Sequence, residues 1–410
     1  MSQAQPLPGR KLLVVTSTFP RWKNDSDPPF VYELSCRLAE RYIVTVHTPH
    51  YPGAETKERL DGMRIHRFRY FFSPMEKLAG SIGILPTLKQ NKWYYGVVPF
   101  FLLAQFVSLL LLVRKIRPDI IHAHWVVPQG FIAVLVKMIT GVPVVVTAHG
   151  ADVFGLQGLL FKTIKRFTLQ RVQLGVAVSS AIANVLSEFL PLTSKPVVIP
   201  MGVDSEIFHP NKTDHKVRKQ YAVKDYLLLY VGRLTEKKGV QYLIDAMLPV
   251  LRDTPNVKLL IVGGGELDNK LRAQVLRLGL EEYVKFAGRC PNAELPAYYA
   301  SADIFVGPSV TTLQGDTEGF GLTFVEAAMS GCLLIGTDTG GIQDIIKDGE
   351  TGFLVSEKSS AALADAILYA IHHKLEINTL KAKSRAVCIE NFDWKVIARK
   401  YSNILSQFSR

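Results

Sequence analysis

Short apolar runs, β-branched or leucine-rich, alternate along this chain with longer stretches of helical period, and the alternation occurs twice. In the first half, strands are expected at 12–16, 43–47, 120–123, 144–148 and 176–178, apolar throughout as strands buried on both faces are. The spacing between them predicts helices over 30–41, 131–139 and 181–189. The second half repeats the theme, with strands at 227–231, 258–262, 284–286, 304–306 and 333–336 and helices at 240–251, 267–278, 295–300 and 322–330. This predicts an α/β chain of two doubly wound, Rossmann-like parallel sheets facing each other across a cleft. Turn residues interrupt the pattern at Pro200-Met201-Gly202-Val203-Asp204, so the expected domains are 1–205 and 206–390, with a closing helical segment 391–410. Ligands of such sheets sit beyond the carboxyl ends of the strands, which makes the cleft the expected site.

One stretch departs from the strand–helix rhythm. Only Gln105 and Ser108 interrupt the apolar run 97–113, which Trp93-Tyr94-Tyr95 precede and Arg114, Lys115 and Arg117 follow. Such a run is borderline for a membrane span. Because it leads at once into Arg117-Pro118-Asp119 and a strand, a packed crossover helix is expected; the aromatic and basic flanks keep contact with a membrane as the alternative.

A chain of 410 residues at 48% hydrophobic has enough apolar mass for two cored domains. The start has no charged segment followed by an apolar core, so no secretory signal is expected. Cys36, Cys290, Cys332 and Cys388 lie far apart and form no Cys-x-x-Cys pair, the pattern of reduced thiols in a cytoplasmic protein. The net charge of +12 is uneven: residues 1–205 hold 23 Lys and Arg against 12 Asp and Glu, and the remainder 25 against 24. A basic N-terminal half suits nucleic acid, an anionic membrane or a phosphorylated acceptor. Without a zinc-finger, homeodomain or RNP-like pattern, no nucleic acid partner is expected.

The chemistry concentrates at the ends of expected strands. Glu318-Gly319-Phe320-Gly321-Leu322-Thr323-Phe324-Val325-Glu326 sets a carboxylate on each side of a glycine-rich turn that opens a helix. Free N–H groups of a first helical turn attract a pyrophosphate, here at Gly319, Phe320, Gly321 and Leu322. Glu318 would then meet a sugar, and Glu326 a ribose further along the helix. Gly232-Arg233-Leu234-Thr235-Glu236-Lys237-Lys238-Gly239 follows a strand, and Arg233 and Lys238 supply the charge that a departing diphosphate needs. Gly264, in a triple glycine, and Arg289 also follow strands and are expected on the nucleotide side. In the first half, Thr147-Ala148-His149-Gly150-Ala151-Asp152 ends a strand, and His149 is expected to hold the donor sugar or leaving phosphate. His122 and His124 form a His-x-His pair with no third ligand nearby in sequence and read as structural. Asp25-Ser26-Asp27 matches an acidic metal–diphosphate pattern, but its place among Lys, Asn and Pro argues against that role, and no metal is expected.

Gly232–Gly239, Glu318–Glu326 and the following Ser330–Gly341, with Pro118–His122 and His149-Gly150, resemble the family-4 retaining glycosyltransferases over essentially the whole chain. The resemblance implies the two-domain GT-B fold, a nucleoside-diphosphate sugar as donor, retention at the anomeric carbon and no cofactor. It also implies that the closing stretch from Asn391 to Phe408 crosses back to the first domain. One departure is the loop Pro20 to Phe30, where many members carry a Gly-Gly turn. Two alternatives stay open: a non-catalytic GT-B-like binding partner, and a phosphorylase or nucleotide-sugar epimerase on the same architecture.

The acceptor is expected to be a lipid-linked or phosphorylated glycan precursor of envelope or surface polysaccharide, met at the inner face of the cytoplasmic membrane. Arg64, Arg67 and Arg69 alternate with Ile65, Phe68 and Tyr70, which would place cations on one face of an extended segment and apolar groups on the other.

Overall fold

The structure, a computed structural model, describes residues 9–22, 25, 29–80, 83–190 and 195–409. The chain forms two compact units, one running to Gly202 and resuming at Trp394, the other Val203–Asp393.

In the first unit the strands are β1 (Lys11–Val15), β2 (Ile43–Pro49), β3 (Lys57–Leu60), β4 (Met63–Phe68), β5 (Ile120–His124), β6 (Val144–Ala148), β7 (Leu174–Ala177) and β8 (Val197–Val198). Among the described residues they make one sheet in the order β3-β4-β2-β1-β5-β6-β7-β8. Every pairing is parallel except the antiparallel β3–β4. The five residues of β5 and of β6 are all buried, as their unbroken apolar or histidine-bearing sequences require of strands covered on both faces. The strand order reverses between β1 and β5, which leaves a crevice at their carboxyl ends.

The helix Trp394–Phe408 closes this unit. A Cβ on Gly202 would stand 2.6 Å from the Trp394 ring, so a glycine is what lets the indole lie against the chain there. The Tyr401 ring packs 5.4 Å from that of His122, and its hydroxyl donates to Ile199 O at 3.1 Å. Tyr42 Oη donates to Ser402 O at 3.2 Å, and the Arg37 guanidinium covers the Trp394 ring at 5.3 Å.

Two sequence expectations fail in this unit. Arg67 is not on an exposed cationic face: it is buried, donating to Glu55 O (2.8 Å), Pro20 O (2.7 Å) and Glu58 Oε1 (2.6 Å). Strand alternation puts it with Met63 and Ile65 on the covered side of β4, and three acceptors repay its desolvation. Arg69 is half-exposed but ion-paired through Nε to the buried Glu76 at 2.8 Å. Arg64 alone of the three projects into solvent without a recorded ion pair among the described residues. The second correction concerns the apolar run. The helix Val98–Ile116 buries only one face, with Phe101, Gln105, Leu109, Leu112 and Val113, and leaves apolar side chains exposed on the other.

The second unit holds β9 (Tyr226–Val231), β10 (Val257–Val262), β11 (Val284–Gly288), β12 (Ile304–Gly307), β13 (Leu333–Thr337) and β14 (Phe353–Val355), all parallel, in the order β11-β10-β9-β12-β13-β14. Its core joins Leu228, Ile261, Val306 and Ile335 from the sheet to Leu243, Met247 and Leu363 from helices laid on it. Here the order reverses between β9 and β12, so the loops leaving those two strands flank the switch point.

Candidate active site

The loop after β9 is shaped by glycines. Gly239 is left-handed at φ 62°, and a Cβ there would lie 1.9 Å from Pro308 O in the loop after β12. Gly263, after β10, sits equally close to Gly232 O. Backbone therefore packs on backbone around the switch point, which holds a short turn over Glu236–Lys238 in place. Lys238 Nζ is ion-paired to Glu318 Oε2, which also accepts from Ser309 Oγ at 3.4 Å. Lys237 Nζ bonds Asp316 Oδ1 at 3.0 Å and Thr317 O at 3.2 Å. Arg233 is exposed, and its carbonyl accepts from the buried Tyr230 hydroxyl at 2.9 Å. Burial pushes the Glu318 carboxyl up, but Lys238, Lys237 and Arg233 outweigh it and hold the group below the ordinary glutamate value, charged at neutral pH.

The turn after Glu318 is buttressed from behind. Gly341 N–H donates to Glu318 O at 3.0 Å, and Cβ atoms on Gly340 or Gly341 would meet Glu318 O or Gly319 O within 2.5 Å. Gly321, at φ 99° and ψ 52°, starts the helix Leu322–Met329, whose first-turn N–H groups lack helical acceptors by construction. The Phe320 side chain turns away into the unit, 5.5 Å from the Phe392 ring, so Phe320 offers a ligand its backbone only. On that helix Glu326 accepts from Tyr299 Oη at 2.7 Å. Burial raises its carboxyl to about 7, and the Tyr299 hydrogen bond only partly opposes this. Arg289 leaves β11 and lies along Gly264, where a Cβ would come 3.2 Å from Arg289 Cγ; a glycine makes that room. The structure thus gathers Arg233, Lys238, Glu318, Gly319, Gly321 and Leu322 at one switch point, with Gly264 and Arg289 at the ends of the neighbouring strands.

In the first unit, His149 leaves β6 and is held by Asp152, whose Oδ1 accepts from the N–H groups of His149 and Gly150, both at 3.1 Å. Asp152 Oδ2 accepts from Val126 N–H at 2.6 Å and so ties the loop after β5 to the loop after β6. His149 Nε2 lies 3.0 Å from His124 Nδ1, and the rings of Trp125 and Phe30 stand 4.9 and 5.1 Å away. Burial lowers the pKa of His149 to about 3 and that of His124 well below its usual value, so both imidazoles are neutral and one donates to the other. His122 Nε2 is engaged by Thr147 Oγ1 at 2.8 Å. Asp25 forms a two-pronged pair with Arg21, at 2.7 Å to Nε and 2.5 Å to the terminal nitrogen; Asp27 lies outside the described residues.

Sequence reasoning missed Tyr299, Ser309 and Lys237 in the second unit and the His124–His149 contact in the first. A signal for the last was present: His124 ends the strand paired with β6, so it faces the residues that lead into His149.

The switch point of the second sheet carries two cations, a paired carboxylate and a glycine-capped helix start, a setting that suits an anionic ligand, and the chain holds two Rossmann-like units. The comparisons agree. The model of Glycosyltransferase Family 4 matches residues 29–207, and that of Glycosyl transferases group 1 matches 211–393. A GDP-mannose-dependent alpha-(1-6)-phosphatidylinositol monomannoside mannosyltransferase of Mycobacterium tuberculosis is 25% identical, over 96% of this chain and 98% of the relative. An N-acetyl-alpha-D-glucosaminyl L-malate synthase of Bacillus anthracis is 25% identical over 77% and 81%. Anabaena Alr3699/HepE in complex with UDP shares the fold at a TM-score of 0.74 and 21% identity, over 97% of this chain and all (100%) of that one. The chain belongs to the family-4 glycosyltransferases.

Proposed function

We propose that this glycosyltransferase moves a hexose from a nucleoside-diphosphate sugar to a lipid-linked or phosphorylated acceptor on the cytoplasmic side, with retention and without a metal. The observation that carries the reading is the Lys238–Glu318 pair beside Arg233 at the switch point of the second sheet. The diphosphate would lie on the first turn of Leu322–Met329 with Arg233 and Lys238 against its oxygens, and Glu326 on the ribose. As the bond from the anomeric carbon to phosphate oxygen breaks, its electron pair goes to the diphosphate. The acceptor hydroxyl then attacks the same face and its proton passes to a phosphate oxygen. Glu318, held by Lys238, orients sugar hydroxyls rather than attacking carbon. The relative named for a phosphatidylinositol monomannoside supports the lipid-linked acceptor; the other is named for L-malate, which is neither lipid-linked nor phosphorylated.

The test begins with thermal shift against a panel of nucleoside diphosphates and their sugars, followed by product analysis with the donor that stabilises most. Expected are an α-linked product from an α-linked donor by NMR, activity that survives chelator, and a loss on the order of 10²-fold for Lys238→Ala. An inverted product, or activity abolished by chelator and restored by a divalent metal, overturns the mechanism. Near-normal turnover in Lys238→Ala overturns the site.

A further inference from the structure

Phe100, Leu103, Val107 and Leu111 of the helix Val98–Ile116 are 55%, 62%, 45% and 59% exposed. Their spacing of three, four and four residues places them on one face. The opposite face is tied into the first unit: Phe101 stacks edge-on against Phe68 and Tyr70 at 5.4 and 5.0 Å, and Ser108 Oγ meets His47 Nε2 at 3.1 Å. The helix is thus packed on its sheet by one face, although it is long and apolar enough by composition to cross a bilayer.

The apolar stripe continues beyond the helix start. Phe71 contacts Phe100 at 5.5 Å and Trp93 at 5.9 Å, and Phe72, Met75, Trp93 and Tyr95 are all exposed. Cations border its other side. Arg64, His66 and Phe68 share the face of β4 that carries Phe68 against the helix, and the antiparallel register sets Arg59 opposite Arg64 and Lys57 opposite His66. A groove of about 390 Å³ runs between this strand face and the helix, floored by Val107 and Leu111 and edged by Arg69 and Lys115. Of the hairpin's two acids, Glu58 is on the opposite face with Arg67, and Asp61 is in the turn, where it accepts from the Tyr32 hydroxyl.

We infer that the exposed face of Val98–Ile116, with the cationic face of the β3–β4 hairpin, docks the first unit onto an anionic phospholipid bilayer, the helix lying in the plane of the interface. An apolar stripe with aromatic residues at one end and cations alongside matches the layers of such an interface, where apolar groups enter the acyl boundary and Lys or Arg meet the phosphates. A second copy of the chain related by a two-fold axis running across the helix is disfavoured as occupant, because that contact would bring the two cationic borders together. Docking goes beyond the sugar-transfer reading and stands on this surface alone.

Sedimentation of the full chain with vesicles tests it. The protein should pellet with vesicles containing phosphatidylglycerol, remain in solution with phosphatidylcholine alone, and show a blue shift in tryptophan emission that Trp93→Phe removes. The combined variant Leu103→Ser, Val107→Ser and Leu111→Ser should weaken vesicle partitioning about tenfold or more, while donor hydrolysis in lipid-free buffer is unchanged. Lys57→Gln with Lys115→Gln, which touches no packed apolar side chain, should lower binding severalfold and reduce its salt dependence. Protein that stays in the supernatant with anionic vesicles at low salt, or pellets equally in every variant, overturns the proposal. Lipid-free dimerisation abolished by the serine variant would assign the surface to a second copy instead. None of these results touches the transferase assay, so each reading can fail without the other.

Discussion

Glu318 and Glu326 are chemically the same residue in opposite electrostatic settings. Burial raises both; three cations answer it at Glu318, and a Tyr299 hydroxyl answers it only in part at Glu326. The folded-state value of Glu326, raised to about 7, means that its contribution to stability is full below the ordinary carboxylate value and lost as pH climbs through 7. A ribose diol needs the charged form as acceptor, so nucleoside diphosphate binding near neutral pH should release protons. Calorimetry in two buffers of different ionisation enthalpy should show that release, and affinity should rise between about pH 6 and 8. Glu326→Gln should flatten that rise apart from the phosphate's own titration; a profile identical to that of the unaltered protein would remove Glu326 from the ribose. Glu318→Ala should leave nucleotide affinity intact or improved, since it frees Lys238, yet cut transfer on the order of 10²-fold. Equal losses of affinity in Glu326→Gln and Glu318→Ala would show that the roles are misassigned. Both glutamates were legible in the sequence, because eight consecutive spacings on one turn and helix carry them. Their difference in charge state was not, because it comes from Lys238, Lys237 and Arg233, which are remote in the chain from Glu318.

At the scale of elements, the loop after β9 shows what a single glycine holds. Gly239 is left-handed and its missing Cβ is the space that Pro308 O occupies. Gly239→Ala should therefore cost at least about 1 kcal/mol and lower the second unit's thermal midpoint by a few degrees. It should also lower transfer more than nucleotide-independent stability explains, by displacing Lys238; a variant with an unchanged midpoint and rate would mean that the loop relaxes freely. Period and apolar content sufficed to find most strands within a residue or two: 227–231 became Tyr226–Val231 and 258–262 became Val257–Val262. They failed where packing is one-sided or polar. The run 97–113 looks like a core helix because it is apolar on every face, and only its neighbours reveal that one face is left uncovered. Residues 57–68 alternate as an edge hairpin should, yet no local rule says that Arg67 turns inward to three acceptors.

For the whole molecule, the closing helix is a structural part of the first unit. Tyr401 is fully buried against His122, with its hydroxyl on Ile199 O. Tyr401→Ala should cost roughly 3–5 kcal/mol and Tyr401→Phe about 1, read as a shift in the first unit's denaturant transition with the second unit's unmoved. If Tyr401→Ala moves the second transition instead, the helix belongs elsewhere. The sequence by itself determined the class of architecture and the two charged motifs, because hydrophobic period and contiguous glycine-rich turns are local properties of the chain. Tertiary structure decided which distant groups meet. Lys238 reaches Glu318 because β9 and β12 are neighbours in the sheet, His149 is oriented by His124 because β5 and β6 are, and Gly202 accepts Trp394 because the chain returns to the first unit. Each of these contacts joins residues that are far apart in sequence, and strand order, which no local pattern encodes, is what brings them within reach.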